Sequence, residues 1–470
     1  MNVNSRSFCH LKNGTCLQKT PKGATLSIPG LRDRDNSPWR RTLKRAVNAD
    51  GARLLQFCTG ASSVEAMIRE HNARYPRNRL SERDGLVFLS AAVEGGLLAV
   101  SDTPAAPAGV RICGSCDWFC PEHTTVELTS RCNLRCEHCY RASSPEKDRY
   151  IDTAVLMRYL NEFYAHGGSV VELTGGEATL HPDFFQIVEW CHAHTSNFGV
   201  LTNAYGLTKP KADRLAQYKD NMVVAVSLDS HRPEFHSRFR GRPDAFERTT
   251  RAIKLLAERG FFIRVGMSVT LENFFDIEDT IRLARELGAT KFTYSMVYDV
   301  GRAGESAIVQ IKKMSDSARY FEYYDRVFEE NRDFLVTANS AQQNSVRKGN
   351  CGLVHRTVTL GPDGTLRPCV MFDKSLSLGD IGRQGFEEIF SSGIGNRFAA
   401  LPGPKPEICG DCPDFSYCAN CVLRGLKTAA EKGGCRWMDS ARAAEFAGRM
   451  NLRPKTCINS AEPETETRKT

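Results

Sequence analysis

Short runs of almost continuous apolar residues recur through the middle of the chain, at 126–129, 170–173, 198–201, 223–228, 262–269 and 291–296. Runs of that length, without strict alternation, are the pattern of strands buried on both faces. Between them, at 152–165, 182–194, 209–219, 244–259 and 276–287, apolar positions return at the spacing of a helix with one buried face. Strand and helix in alternation predict an α/β fold with a parallel sheet and its helices outside. Right-handed crossovers would curl these units into a partial (βα)6 TIM-like barrel, short of the eight that close one. One side should stay open.

The flanks read differently. Residues 39–47 partly alternate and fit a strand; Asn48 or Asp50 can cap a helix carrying Ala52, Leu54, Leu55 and Phe57, which Gly60 ends. Ser62 or Ser63 opens a second helix with Val64, Met67 and Ile68, and a third runs from Ser81 to Gly95. Together these predict a winged-helix-like module at 37–102. Ahead of it, 1–36 is polar and broken by Gly, Pro, Asn and Arg, and is expected to lack order. After it come a cysteine-containing bridge at 103–124, with a Pro/Ala linker at 103–108, and the α/β core at 125–340, which includes a Phe- and Tyr-rich helix at 316–331. A cysteine-rich region at 341–440 and a frayed tail at 441–470 complete the chain.

Composition narrows the class. With 41% apolar and 25% charged residues among 470, the chain has the make-up of a soluble globular protein. The net charge of +8 is scattered, and the module's second helix sets Glu65 and Glu70 beside Arg69 and Arg74, against a role in reading DNA. No nucleic-acid partner is expected. No window approaches the ~20 apolar residues of a membrane span, and residues 1–30 lack the apolar core of a signal peptide. The 18 cysteines bunch at 113–120, 132–139 and 409–421 instead of spreading for disulfides, which points to metal sites and a reducing cytoplasm. Cys9, Cys16, Cys58 and Cys191 read as packing or incidental thiols.

The chemistry gathers where strands end, as ligands do in parallel α/β architectures. Cys132-x3-Cys136-x2-Cys139 follows the first strand. Such a triplet can hold three irons of a cubic cluster and leave the fourth open, or form half of a zinc site. Gly175-Gly176-Glu177 follows the second strand; glycines there admit a ligand close to the main chain, and the carboxylate can meet an ammonium. Asn203 follows the third strand, and Ser227 with Asp229 the fourth, a hydroxyl and a carboxylate suited to a ribose. Farther on, Cys351, Cys369, Cys409, Cys412, Cys418, Cys421 and Cys435 could fill two zinc ribbons or two clusters.

Cys132-x3-Cys136-x2-Cys139 followed by Gly175-Gly176-Glu177 resembles the radical S-adenosylmethionine superfamily. The resemblance implies a [4Fe–4S] cluster on the three thiolates, whose open iron chelates S-adenosylmethionine and cleaves it to a 5′-deoxyadenosyl radical. It places His138 near the adenine, the Gly175-Gly176-Glu177 turn on the methionyl amine, and Ser227 and Asp229, with Asn203, near the ribose. Arg302 either reaches the cofactor or caps the last strand.

The later cysteines resemble the SPASM extension with two auxiliary [4Fe–4S] clusters, three clusters in all. By that resemblance Cys409, Cys412, Cys418 and Cys435 close one, and Cys351, Cys369 and Cys421 hold the other. Two residues separate Cys418 from Cys421 where the family has three. The vacancy on the second cluster gives Cys113, Cys116 and Cys120 a purpose, with Cys116 the expected ligand; the alternatives are a separate zinc knuckle at 113–120 and a substrate atom in the vacancy. The order Val47–Ala52, Cys58-Thr59-Gly60, Gly96-Leu97-Leu98 resembles the peptide chaperone of pyrroloquinoline-quinone biosynthesis, a precursor-peptide recognition fold.

The implied activity is a peptide maturase. It binds the leader of a ribosomally synthesised precursor and forms a C–C, C–O or C–S crosslink, or an oxidised residue, in the core, with an electron donor such as flavodoxin or ferredoxin. Protein-residue maturation of the sulfatase-maturase type is the alternative among enzymes. An iron–sulfur carrier or scaffold is the alternative outside them. No general base is assigned.

Overall fold

The computed structural model describes residues 3–29, 42–298, 300–305, 318–336, 350–372, 376–418, 421–432 and 435–438. The expected tail at 441–470, with Cys457, lies outside the described residues.

Six strands of the core arise where apolar runs were read: β7 (His123–Glu127), β8 (Val170–Thr174), β9 (Asn197–Thr202), β10 (Met222–Ser227), β11 (Phe262–Val269) and β12 (Lys291–Met296). All pair in parallel with their neighbours in the order β12-β11-β10-β9-β8-β7. Helices α4 (Thr153–Ala165), α5 (Phe184–His194), α6 (Lys209–Leu215), α7 (Pro233–Arg240), α8 (Ala245–Ala257) and α9 (Ile277–Glu286) fill the crossovers. Buried Val126, Leu173, Val200, Val226, Val265 and Phe292 on the strands join Leu156, Ile187, Ile253 and Ile281 on the helices in one core.

The sheet does not stop at β7. Strand β13 (Thr357–Leu360) pairs in parallel with β7, and β14 (Thr365–Arg367) and β15 (Gly379–Asp380) continue it antiparallel. The cysteine-rich region therefore extends the barrel sheet, and its Val358, Leu360, Phe386 and Trp437 sit in the same apolar core. Among the described residues β12 and β15 are the outer strands, β12 bridging onward to Leu335, and the sheet does not close on itself, as six repeats implied.

The N-terminal unit corrects two expectations. Residues 3–29, expected to lack order, carry β1 (Phe8–Leu11), β2 (Cys16–Thr20) and β3 (Gly23–Pro29). The runs are too short to stand out among turn residues, yet Leu11, Leu17 and Leu26 are completely buried. β4 (Thr42–Val47), α1 (Ala49–Leu55), α2 (Val64–Arg74), α3 (Glu82–Glu94) and β5 (Leu98–Ser101) follow, with Asn48, Ser63 and Ser81 capping the helices through backbone amides. The bridge, too, is partly sheet. β6 (Arg111–Gly114) lies parallel to β2 and completes a four-stranded sheet ordered β4-β3-β2-β6. The unit has its own core, including Leu54, Met67, Leu89 and Cys58, while Cys191 is buried in the barrel core.

Candidate iron–sulfur and cofactor site

The loop 128–140 leaves the end of β7 and is gripped along its length. Gly176 N–H donates to Thr129 O (2.7 Å), Glu177 N–H to Arg131 O (2.9 Å), and Glu137 N–H to Phe239 O (3.0 Å). Arg302 donates from its main chain to Cys139 O (3.0 Å), from Nε to Cys136 O (2.8 Å) and from Nη2 to Ser143 O (2.7 Å). All of these Arg302 bonds fall on the cysteine loop and the turn after it. Arg302 clamps the loop.

Three glycines make that grip sterically possible. A Cβ on Gly176 would lie 2.1 Å from Arg131 O, one on Gly301 2.2 Å from Tyr140 O, and one on Gly241 2.8 Å from Arg135 O. Gly301 and Gly241 also have φ of +60° and +73°. The Gly-Gly turn after β8 was expected to admit a ligand close to its main chain; the Gly176 amide donates to the cysteine loop.

The three thiols receive several hydrogen bonds. Leu134 N–H and Asn203 Nδ2 each approach Cys132 Sγ at 3.5 Å, Ser143 N–H approaches Cys139 Sγ at 3.3 Å, and Arg240 Nη1 approaches Cys136 Sγ at 3.8 Å. Burial pushes the Cys132 thiol up to about 12 and the Cys136 thiol to about 11. Three thiolates can persist here when a cationic core neutralises them, and donors aimed at sulfur suit that state. Among the described residues no three His, Cys, Asp or Glu side chains converge as tightly as a single metal ion needs. A donor set of three spaced thiols with N–H groups around them fits an iron–sulfur cubane.

The strand-end residues share this neighbourhood with roles of their own. Glu177 is 2% exposed; it accepts from Thr179 N–H and Oγ1, Thr202 Oγ1 (2.8 Å) and Asn203 N–H (2.9 Å), and so ties β8 to β9. Three of these bonds fall on Oε1 and one on Oε2, which keeps a lone pair open. Asn203 also donates to Asn133 Oδ1 at 2.8 Å, making it a support for Cys132. Ser227 ends β10, half-buried at the mouth.

Asp229, expected near the ribose, is completely buried and accepts from Arg240 Nε and from Ser268 N–H at 2.9 Å. Burial opposes its charge, yet Arg240, with His138 and His236 nearby, holds the carboxyl below its usual range. Its work is to hold Arg240 beside Cys136. The His138 ring stacks on Phe239 at 4.1 Å and 17°, and burial drops its imidazole to about 3, so it is neutral.

The C-terminal cysteines form two groups. Cys409, Cys412, Cys418 and Cys435 line one cavity of about 230 Å³ with Pro404, Phe415 and Trp437. Cys351, Cys369 and Cys421 are mutual neighbours; Cys369 Sγ accepts from Met371 N–H at 3.4 Å, and Cys351 from the Val422 and Leu353 amides. Buried and half-buried thiols, with amides donating to Cys351 and Cys369, suit the same class of cluster.

Of the bridge cysteines, Cys113 lies 3.4 Å from Cys16 and donates to Leu17 O, while Cys120 is 1% exposed in the barrel core. Cys116 is exposed. The bridge itself packs on the C-terminal region, Trp118 stacking on Phe390 and Phe119 tilted against His355.

Several functional residues escaped the sequence. Arg240, Gly241 and Gly301 carry no motif beyond an Arg-Gly pair. Glu127, fully buried at the end of β7, pairs with Arg367 of β14 and Arg141 and accepts from Tyr140 OH at 3.2 Å. A glutamate inside an apolar run was the one available signal. A cavity of about 190 Å³ opens here, with Tyr140, Arg141 and Gly301 on one wall and Val370, Met371 and Leu423 on the other.

Comparison with known proteins agrees with this geometry. The radical SAM superfamily matches residues 126–284, and SPASM, an iron-sulfur cluster-binding domain, matches 351–413. The antilisterial bacteriocin subtilosin biosynthesis protein AlbA of Bacillus subtilis is 30% identical over 435 residues, spanning 92% of this chain and 96% of AlbA. The sporulation killing factor maturation protein SkfB of the same organism is 28% identical over 196 residues, 42% of this chain and 47% of SkfB. Among solved structures, Streptococcus suis SuiB bound to precursor peptide SuiA shares the fold, with a TM-score of 0.60 at 14% identity across 89% of this chain and 97% of SuiB. A three-thiol loop at the end of the first barrel strand, a C-terminal cluster domain continuing the same sheet, and a relative alike over nearly its whole length lead to one conclusion: the chain belongs to the radical S-adenosylmethionine superfamily, as an enzyme with a SPASM domain that uses S-adenosylmethionine, a [4Fe–4S] cluster and auxiliary clusters.

Proposed function

We propose that this enzyme matures a ribosomally synthesised peptide, binding the leader with its N-terminal unit and forming a crosslink or an oxidised residue in the core. The observation that carries the reading is the cavity between the two cysteine regions. One wall follows directly on Cys139, and the other is built from residues next to Cys369 and Cys421. A side chain entering it would touch both regions at once. The relatives point the same way: AlbA and SkfB are named for peptide biosynthesis and maturation, and SuiB is solved with its precursor.

In this reading Cys132, Cys136 and Cys139 hold the cluster that binds S-adenosylmethionine, and together they supply a 5′-deoxyadenosyl radical for hydrogen abstraction. The Gly175-Gly176-Glu177 turn holds the methionyl amine, for which Glu177 Oε2 keeps an acceptor site. Ser227 addresses the ribose and the neutral His138 ring flanks the adenine. Cys409, Cys412, Cys418 and Cys435 close one auxiliary cluster. Cys351, Cys369 and Cys421 hold the other, and Cys116, the bridge thiol not committed elsewhere, completes it. β4 is an outer strand with Lys44, Arg45 and Ala46 exposed, suited to adding a leader strand. A flavodoxin or ferredoxin supplies electrons.

The test is anaerobic incubation of the reconstituted enzyme, S-adenosylmethionine and reductant with a candidate leader-plus-core peptide. The expected products are 5′-deoxyadenosine and a peptide lighter by about two hydrogens. Deoxyadenosine formation that never depends on any such peptide would refute the reading. Cys116→Ala is expected to change the auxiliary Mössbauer signals, while Cys113→Ala and Cys120→Ala leave them in place.

A further inference from the structure

Arg424 stands one helical turn beyond Cys421, at the start of the helix Val422–Lys432. Its guanidinium is pinned on two sides. Nη2 donates to Tyr298 OH at 2.8 Å and Nη1 to Tyr417 O at 2.7 Å, with the guanidinium carbon 4.7 Å from the Tyr298 ring centre. Nε is buried and has no hydrogen-bond partner among the described residues. No carboxylate among them pairs with Arg424 either; it acts most strongly on Tyr298, Cys421 and Tyr417, is hydrogen-bonded to Cys421 among the cysteines, and reaches Cys418 and Tyr324 by charge alone. A buried cation with an idle N–H is costly unless an anion lies beside it. The group of Cys351, Cys369 and Cys421, once deprotonated around a cluster, is that anion.

The barrel site makes an instructive contrast. There Arg240 also approaches a cysteine sulfur, but Asp229 cancels its charge. Arg424 is oriented by a neutral phenol and keeps its charge. A net positive charge and an N–H directed at sulfur favour the reduced, more negative form of an iron–sulfur cluster and raise its potential.

We propose that Arg424 is a positioning residue that raises the reduction potential of the auxiliary site formed by Cys351, Cys369 and Cys421, and that Tyr298, just beyond β12, holds it there. The consequence rests on the peptide-maturase reading, in which product formation releases an electron into the protein. A raised potential makes this site its receiver. The effect on potential itself does not depend on that reading.

The test is an EPR-monitored redox titration of the reconstituted full-length protein without peptide, so that product assays judge the maturase reading separately. In Arg424→Gln one auxiliary midpoint is expected to fall by at least a factor of ten in its equilibrium, about 59 mV for a one-electron couple, while the midpoint of the Cys132/Cys136/Cys139 cluster stays put. Arg424→Lys, which keeps the charge, recovers most of the shift. Tyr298→Phe, which only releases the guanidinium, moves the same midpoint by roughly threefold. Unmoved midpoints, or equal shifts in Arg424→Gln and Arg424→Lys, overturn the proposal. If Arg424→Gln does not load full iron, Tyr298→Phe decides, and an unmoved midpoint there overturns it.

Discussion

At the scale of single residues, the cysteine loop is held by what three glycines leave out. Gly176, Gly241 and Gly301 come from three separate turns, and each places its α-carbon where a methyl would strike a loop carbonyl. Gly176 is the tightest, and the colliding atom is backbone, so the loop itself would have to move. Gly176→Ala is therefore expected to lose the barrel cluster, about 4 of roughly 12 irons, while the auxiliary EPR signals persist. Full iron in that variant would show that the loop tolerates displacement. The sequence marked Gly175, Gly176 and Glu177 as site residues for a ligand. Their observed contacts are with the cysteine loop and with β9.

At the scale of elements, buried ions couple the strands. Glu127 ends β7 and Arg367 lies on β14, so their pair joins barrel to C-terminal region inside one sheet. Glu127→Gln leaves Arg367, 2% exposed, without its counter-ion and is expected to cost about 3–5 kcal/mol, read as a lower denaturant midpoint. A second network lies on β8. Burial would raise the Glu172 carboxyl, but His123 at 3.3 Å and Arg264 at 3.4 Å outweigh it and hold the group at about 2, below an ordinary 4.5. A depressed carboxyl contributes stability that is full above its unfolded value and fades as pH falls from about 4.5 toward 2. The loss amounts to roughly 3 kcal/mol, and Glu172→Gln should flatten that stretch of the midpoint-against-pH curve. Strands of the barrel were legible because runs buried on both faces exclude polar residues. β1, β2 and β3 were not, since four- to seven-residue strands with one buried face are diluted by the turns that join them.

At the scale of the whole molecule, two cores meet along the bridge. Gln18 of β2 donates to Cys120 O at 3.1 Å and Arg111 of β6 to Tyr164 O at 2.9 Å, fastening the N-terminal sheet to the barrel. The bridge then continues onto the C-terminal region through Trp118 and Phe119. A single chain with three clusters predicts about 12 irons, and Cys412→Ala is expected to remove about 4 without changing the barrel cluster's EPR spectrum. Loss of that spectrum too would mean the clusters assemble as one unit. What the amino-acid order alone determined is what depends on spacing along the chain: the βα repeats, the three-cysteine loop, the two-residue gap between Cys412 and Cys409, the helix start at Ser81. What the tertiary structure decided is everything that depends on distance across it. Asp229 was read toward a ribose, and its counter-ion Arg240 comes from a helix that no motif marked. Cys16, read as incidental, meets Cys113 from a strand almost a hundred residues away (97 positions). Local spacing is written in sequence, whereas the partner of a buried charge or thiol is chosen by packing, which unites residues no pattern connects.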